Sequence, residues 1–468
     1  MTTPSVHPSN QPTAFHWDPQ PEAAAYVQGL IRACLDACPQ AADLAERMQT
    51  QTGTRFLDWV DYVQLPASDK ARAELASVGF EPSGEAAPGE AFVNHKGIFP
   101  AVVLADGPRR VAIKVDAVAD FLAVWRLAGA HVEGEAGARM RQARAFVGEG
   151  AEMWVIERHG FRGFVSPAVD HKLSWKAAEH LERLCRRQRA FDSDGVGRDD
   201  AGFDEAHAVV DEAVRDLGQD WACDLFFESE RRYWQRRNRA ARVQKARQDT
   251  LGLGWANHDH HTYRSSRHCY SRLISLLEKM GFHCRERFYA GEEAGWGAQV
   301  LEQPVTNIVI FADVDMSPAE IAGDFAHEGL HETRPELGTV GLWCALHGES
   351  ALQAGMHHLE CQFDWHALKA QLEAEAGIKT MDPFTTFPFL RQAFTEGERW
   401  AVSHARVAEL EAAGKITPEQ GEQFRTKGAI GSHLENLERN DGYKGFNQQG
   451  VSDIISRTDP RKLVSSGT

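Results

Sequence analysis

Residues 257–266 read NHDHHTYRSS and place His258, His260 and His261 within four positions, with Arg264 just beyond. Neutral imidazoles are good donors to divalent metals, and a guanidinium is a two-pronged partner for a carboxylate. The stretch therefore has the chemistry of a metal site that takes an acidic substrate. The plain alternative is chance clustering on a polar loop, since the chain carries 21 histidines. A second pattern, HEGLH at 327–331, matches HExxH. On a helix His327 and His331 would share a face and bind zinc, with Glu328 as the general base of a metalloprotease. Ser317, Pro318 and Glu320 upstream read as an N-cap, first helical residue and capping-box glutamate, so a helix is expected there. Gly329 would cost that helix about 1 kcal/mol, and the third ligand would have to be Glu336, His347 or Glu349. No GxSxG, GxGxxG or GxxxxGK[ST] pattern is present, which leaves serine-hydrolase and phosphate-loop chemistry without support.

The chain must supply elements that hold such residues. At 468 residues two or three domains are expected. Hydrophobic residues make up 43% and charged residues 25%, a globular composition. No run approaches the roughly 18 apolar residues of a membrane helix. The start, MTTPSVHPSNQPTAFHW, lacks the basic and apolar regions of a signal peptide. Eight cysteines without a CxxC pair fit a reducing cytoplasm. A formal charge of −16 argues against nucleic acid as a partner, and the basic stretch RRYWQRRNRAARVQKAR (231–247) is expected to be a solvated helix face.

Four segments repeat one grammar of short strand, loop, amphipathic helix, glycine and strand. They begin at Asp61, Val111, His260 and Met356. In the third, Tyr270, Leu273, Ile274 and Leu277 recur with helical spacing, and Gly281 stands where a C-cap belongs. One such unit cannot bury its sheet alone, so the units should pair.

Repeats of this kind resemble the vicinal-oxygen-chelate superfamily of glyoxalases and extradiol dioxygenases. The resemblance implies an α+β fold: two glyoxalase-like half-open β-barrels built from βαβββ modules, with a helical connector. The expected layout is an N-terminal segment, partly disordered, over 1–53; a metal-free barrel over 54–170; charged connector helices over 171–250; and a metal-binding catalytic barrel with a closing segment over 251–468. In that superfamily the ligands sit on the first strand of each module and on the last strand of the barrel, which gives His260, His358 and Glu409. In the first barrel the equivalent positions fall near Asp61 and Val111, and Glu157 and His159 read as a relic or a structural pair.

Several stretches are similar to the 2-oxoadipate dioxygenase/decarboxylase, or hydroxyglutarate synthase, family. DHHTYR matches its ligand histidine and substrate-binding arginine, His260 and Arg264. MHHLECQFD resembles its second histidine strand, with His358, although Glu360 and Cys361 depart from it. FPFLRQAFTEGERW places Gln392 toward the substrate, ARVAELEAAGKITP follows the third-ligand segment with Glu409, and GYKGFNQQGVSDIISRTD resembles the closing segment, with Val451 and Ser452 at the substrate. His258, His261 and His357 are neighbouring candidates if the register slips. The resemblance implies an Fe(II) cofactor, O2 and a small 2-oxo dicarboxylic acid as partners, and a 2-hydroxy acid product shortened by CO2. The other readings are the zinc protease and a glyoxalase-like protein that binds a ligand without chemistry.

Overall fold

The computed structural model describes residues 17–85, 87–189, 198–289, 295–330, 334 and 336–461. Four βαβββ units follow one another. The first holds β1 (Val60–Pro66), α3 (Asp69–Ser77), β2 (Glu81–Pro82), β3 (Glu90–Val93) and β4 (Ala101–Ala105). The second holds β5 (Arg109–Lys114), α4 (Val118–Val124), β6 (Val132–Glu133), β7 (Met140–Val147) and β8 (Ala151–Arg158). The third holds β9 (His258–Arg264), α9 (Tyr270–Lys279), β10 (His283–Tyr289), β11 (Trp296–Gln303) and β12 (Ile308–Asp315). The fourth holds β13 (His358–Gln362), α11 (Trp365–Ala376), β14 (Thr385–Phe387), β15 (Leu390–Phe394), β16 (Glu398–Trp400) and β17 (Ala429–Arg439). Two helices, α12 (His404–Ala412) and α13 (Pro418–Lys427), are inserted before β17.

The units pair into two mixed sheets with the same strand order. The first runs β2-β3-β4-β1-β5-β8-β7-β6, and the second runs β10-β11-β12-β9-β13-β17-β15-β14 with β16 on β17. In each, the first strands of two units lie antiparallel at the centre, β1 on β5 and β9 on β13. The α+β class and the paired βαβββ construction are those expected. Helix α9 buries Tyr270, Leu273, Ile274 and Leu277, and Gly281 adopts φ +85° just beyond it.

Residues 21–52 are ordered helices, α1 (Pro21–Ala37) and α2 (Pro39–Thr52), packed on the first sheet through Val27, Ile31, Leu44 and Met48. The amphipathic spacing of these residues gives them a core to join. Residues 1–16 lie outside the described chain. Between the sheets come α5 (His171–Arg186), α6 (Asp199–Leu217), α7 (Gln219–Arg236) and α8 (Arg239–Asp249). Phe226, Phe227 and Trp234 of α7 share one core with Tyr263, Leu273 and Leu359, so these helices cover one face of the second sheet. Several cations of the basic 231–247 stretch serve structure: Arg237 donates to the carbonyls of Gln353 and Ala354, and Arg247 pairs with Glu375. The opposite face of the second sheet is covered by α10 (Thr339–His347) and α14 (Gln448–Arg457), through Val340, Trp343, Ile454 and Ile455.

Among the described residues, 320–330 form only a short 3-10 turn at Glu320–Ala322 and hydrogen-bonded turns, not the helix expected for HExxH. Gly329 adopts φ +82°, which ends helical geometry at that point. Glu320 does fold back to the Ser317 backbone amide, as a capping box would.

Candidate metal centre

Side chains alternate across a strand, so His260, Thr262 and Arg264 share one face of β9 while His261 and Tyr263 take the other. The register then decides which residues meet. His260 lies opposite Glu360 of β13, and Glu360 lies beside Glu435 of β17. One step along, Thr262 lies opposite His358, which lies beside His433. Donor atoms of His260, Glu360 and Glu435 all fall within 4.8 Å of one another, as do those of His357, His358 and His433. Glu360 joins the two groups: its Oε1 is 3.6 Å from His260 Nε2 and 3.6 Å from His358 Nδ1.

Partners fix the aim of these groups. Asp259 Oδ1 accepts from His260 Nδ1 at 2.6 Å, which leaves the Nε2 lone pair facing Glu360. Asp259 is held by Arg439 at 2.8 and 3.0 Å and by Gln362 at 3.1 Å. Burial would raise the Asp259 carboxyl, but Arg439 and the His260 N–H hold it well below its ordinary range. This carboxylate–histidine arrangement is the support that metal-bound imidazoles usually have. Likewise His433 Nδ1 donates to the Thr395 carbonyl at 2.8 Å and His357 Nδ1 to the Gly431 carbonyl at 2.8 Å. Burial depresses all these imidazoles, His433 to about 4, so they stay neutral with free lone pairs at neutral pH.

The two carboxyls are displaced the other way. Burial, and then the charge of Glu435, push Glu360 far above the ordinary carboxylate range, and burial raises Glu435 as well. Thr262 Oγ1 donates to Glu360 at 2.6 Å and Gln392 Nε2 to Glu435 at 2.9 Å. Glu360 Oε2 and His358 Nε2 nonetheless have no hydrogen-bond partner. Two desolvated carboxyls facing neutral imidazoles, with acceptor atoms left over, form a donor set that a divalent cation satisfies. Phe311 and Phe394 wall the centre, their rings 4.8 Å from His260 and 4.3 Å from His358.

The expected residues divide. His260, His358 and Gln392 are in or against the centre. Glu409 is not: it stands exposed on α12, so the carboxylates at the centre are Glu360 and Glu435 instead. Helix α12 belongs to the insertion before β17, and the last strand that carries the carboxylate begins only at Ala429. The signal was available in GSHLENLER, where His433 and Glu435 flank apolar Leu434, just as His358 and Glu360 flank Leu359 in HLECQ. Arg264 is 2% exposed, and its guanidinium makes no hydrogen bond or ion pair with any described residue; Nε is buried without a partner. It faces the Trp343 ring at 5.7 Å and lies across from Asp313, whose carboxyl burial pushes up to about 8 against the pull of Arg264. Val451 packs on the apolar cluster that includes Phe311 and Phe394, while Ser452 Oγ donates to its own helix at Gln448.

The neighbouring candidates also separate. His261 faces the helices, 5.3 Å from Phe227, and His258 Nδ1 bonds the Trp255 carbonyl. His327 pairs with Glu278 at 2.8 Å and Asp324 at 2.9 Å on an exposed turn; His331 lies outside the described residues. In the first sheet the positions matching His260, Glu360 and Glu435 carry Tyr62, Ala112 and Trp154. Glu157 accepts from Arg141 and from the Val118 amide, and His159 pairs with Asp224; these carboxylates overcome burial and raise His159 to about 10.

No family model matches the chain, and no curated protein matches it. Solved structures do. A glyoxalase-superfamily protein of Ralstonia eutropha JMP134 is 11% identical, covers 57% of this chain and 94% of its own, and has a TM-score of 0.31. A variant of 4-hydroxymandelate synthase from Streptomyces coelicolor is 10% identical, covers 86% and 98%, and has a TM-score of 0.24. A xylose isomerase-like TIM barrel/4-hydroxyphenylpyruvate dioxygenase fusion protein is 10% identical, covers 91% and 58%, and has a TM-score of 0.24. At these values the likenesses decide nothing about reaction or ligand. No described helix is long and apolar enough to cross a membrane.

Proposed function

We propose that the chain is a non-haem Fe(II)-dependent dioxygenase/decarboxylase that converts a small 2-oxo dicarboxylic acid and O2 into CO2 and a 2-hydroxy acid one carbon shorter. For 2-oxoadipate the product is 2-hydroxyglutarate, and one substrate plus one O2 balances one product plus one CO2. The observation that carries the reading is the buried cluster of His260, Glu360 and Glu435, joined through Glu360 to His358, whose Nε2 has no partner. His260 and His358 with Glu435 give two imidazoles and one carboxylate, a set that leaves coordination positions open for substrate and O2. Iron in this place would supply the oxygen chemistry.

The chain's own residues do the rest. Asp259 fixes the tautomer and angle of His260. Arg264, desolvated and unpaired, binds a substrate carboxylate. Gln392 holds Glu435 and offers its own Oε1, which has no partner, to a substrate hydrogen-bond donor. Phe311, Phe394 and the C-terminal helix α14 exclude water. The test is metal analysis of the purified protein followed by oxygen uptake and CO2 release over a series of 2-oxo acids. Stoichiometric iron with consumption of 2-oxoadipate supports the reading. A protein that binds no metal, or consumes no O2 with any 2-oxo acid, is instead a binding protein built on the same fold.

A further inference from the structure

A cavity of about 670 Å3 is lined by residues of both sheets, among them Lys114 and Arg158 from the first and His258 and Phe311 from the second. That volume suits a small organic ligand. Its charged lining is matched almost throughout. Arg158 pairs with Asp61 at 2.6 Å, Arg285 with Glu286 and Glu302, Arg439 with Asp259 at 2.8 Å, Lys444 with Glu302 at 3.2 Å, and Arg162 with Glu85 at 3.7 Å. Lys114 is different: it makes no hydrogen bond or ion pair with any described residue. It ends β5, two positions after Ala112, on the face that carries Tyr62 and Trp154. Burial depresses its ammonium, and the nearest opposing charges, Asp61 and Asp224, are committed to Arg158 and His159. An ammonium held in a cavity without a partner is costly unless a ligand brings the anion.

We infer that this cavity binds a small organic acid, with its carboxylate on Lys114 Nζ and its apolar body against Phe99, Phe161, Phe164 and Phe311. One cation unpaired among the described residues suits a mono-anion better than a phosphate dianion, and aromatic walls suit an apolar body. The first sheet, which lacks metal donors at the matching positions, thereby takes a binding role that does not depend on the metal centre. Because His260 also lines the cavity, the experiment must separate the two sites.

Phenylacetate titrated into the full-length protein by calorimetry is the probe, with inorganic phosphate as the comparison. Phenylacetate should saturate one site in the wild type and in His260→Ala. Lys114→Met should weaken it by roughly tenfold or more, in keeping with loss of a charge-assisted hydrogen bond, and Lys114→Arg should keep part of the affinity. The ligand-free Lys114→Met protein should melt no lower than the wild type, because an unpaired ammonium has been removed. Undiminished binding in Lys114→Met, or no binding by the wild type at millimolar concentration, overturns the inference. If Lys114→Met does not fold, binding by Lys114→Arg as weak as that of phosphate overturns it equally. Phosphate binding with the same dependence on Lys114 would make the site one for bare oxyanions and overturn the organic-acid assignment. Loss of phenylacetate in His260→Ala alone would place the ligand at the metal centre.

Discussion

At the residue scale, what distinguishes the centre is that its buried donors converge: those of His260, Glu360 and Glu435 lie within 4.8 Å of one another. Glu435 and Glu409 are both glutamates near the end of the fourth unit, but Glu435 is 2% exposed, among imidazoles, and Glu409 is exposed. Glu435→Ala is therefore expected to lose bound metal and activity, while Glu409→Ala keeps both; metal analysis of the two variants separates them. Proton competition should be visible too. Glu360 and Glu435 sit above the ordinary carboxylate range in the metal-free chain, so a metal must displace protons to bind. Apparent affinity should thus rise with pH through the neutral range, with net proton release, as calorimetry in buffers of different ionisation enthalpy would record. An affinity flat between pH 6 and about 8 would show that the carboxyls are already ionised. Arg264→Lys keeps a charge but loses the planar fork, so it should bind metal normally and lose about 2–3 kcal/mol in kcat/KM. Steady-state kinetics on the best 2-oxo acid decides that point; an unchanged kcat/KM would mean that the substrate carboxylate is held elsewhere.

At the element scale, three adjacent strands in fixed register bring together residues about 100 and 75 positions apart in sequence. The strand β17 can be disrupted at its start, which is threaded against Trp400 of β16. A Cβ on Gly431 would fall 2.0 Å from the Trp400 ring, and Trp400 is itself packed under Arg237 at 3.9 Å. Gly431→Ala should destabilise the protein by about 1–3 kcal/mol through overpacking and lower its metal affinity, since His433 and Glu435 lie two and four residues on. Denaturant unfolding and a chelator competition would measure both; an unchanged midpoint would mean that the indole moves aside freely. The HEGLH segment makes the opposite point. Its motif is present in the sequence, but left-handed Gly329 and the pairing of His327 with Glu278 and Asp324 leave its described residues, 327–330, without the helix that would align them.

At the scale of the whole molecule, the second sheet is covered on one face by α5–α8 and on the other by α10 and α14. The connector is thus part of the second sheet's core: Phe226, Phe227 and Trp234 pack with Tyr263 and Leu273. A fragment of residues 251–468 would expose that apolar face, and such patches lead to association. It is expected to aggregate or to lack near-ultraviolet circular dichroism, whereas a fragment that includes 171–250 should remain better packed. A soluble, cooperatively melting 251–468 fragment would contradict this. The first sheet is tied in by Arg55, which donates to Asn440 and to the Arg439 carbonyl at 2.7 and 2.8 Å, next to the residue that holds Asp259.

The sequence alone determined the four repeated units, the face of α9 that turns inward, and two of the centre's histidines. These depend on local spacing, and the period of a helix or strand is written in consecutive residues. It also singled out Arg264, which is buried with its Nε unpartnered. What it could not determine was the carboxylate. Glu409 and Glu435 belong to one segment, and only the insertion of α12 and α13 decides which of them reaches the last strand. Nor could it show that Glu360, a departure from the resembled pattern, stands between His260 and His358. Those placements follow from cross-strand register and from where desolvation is complete, and both arise only when distant strands pair.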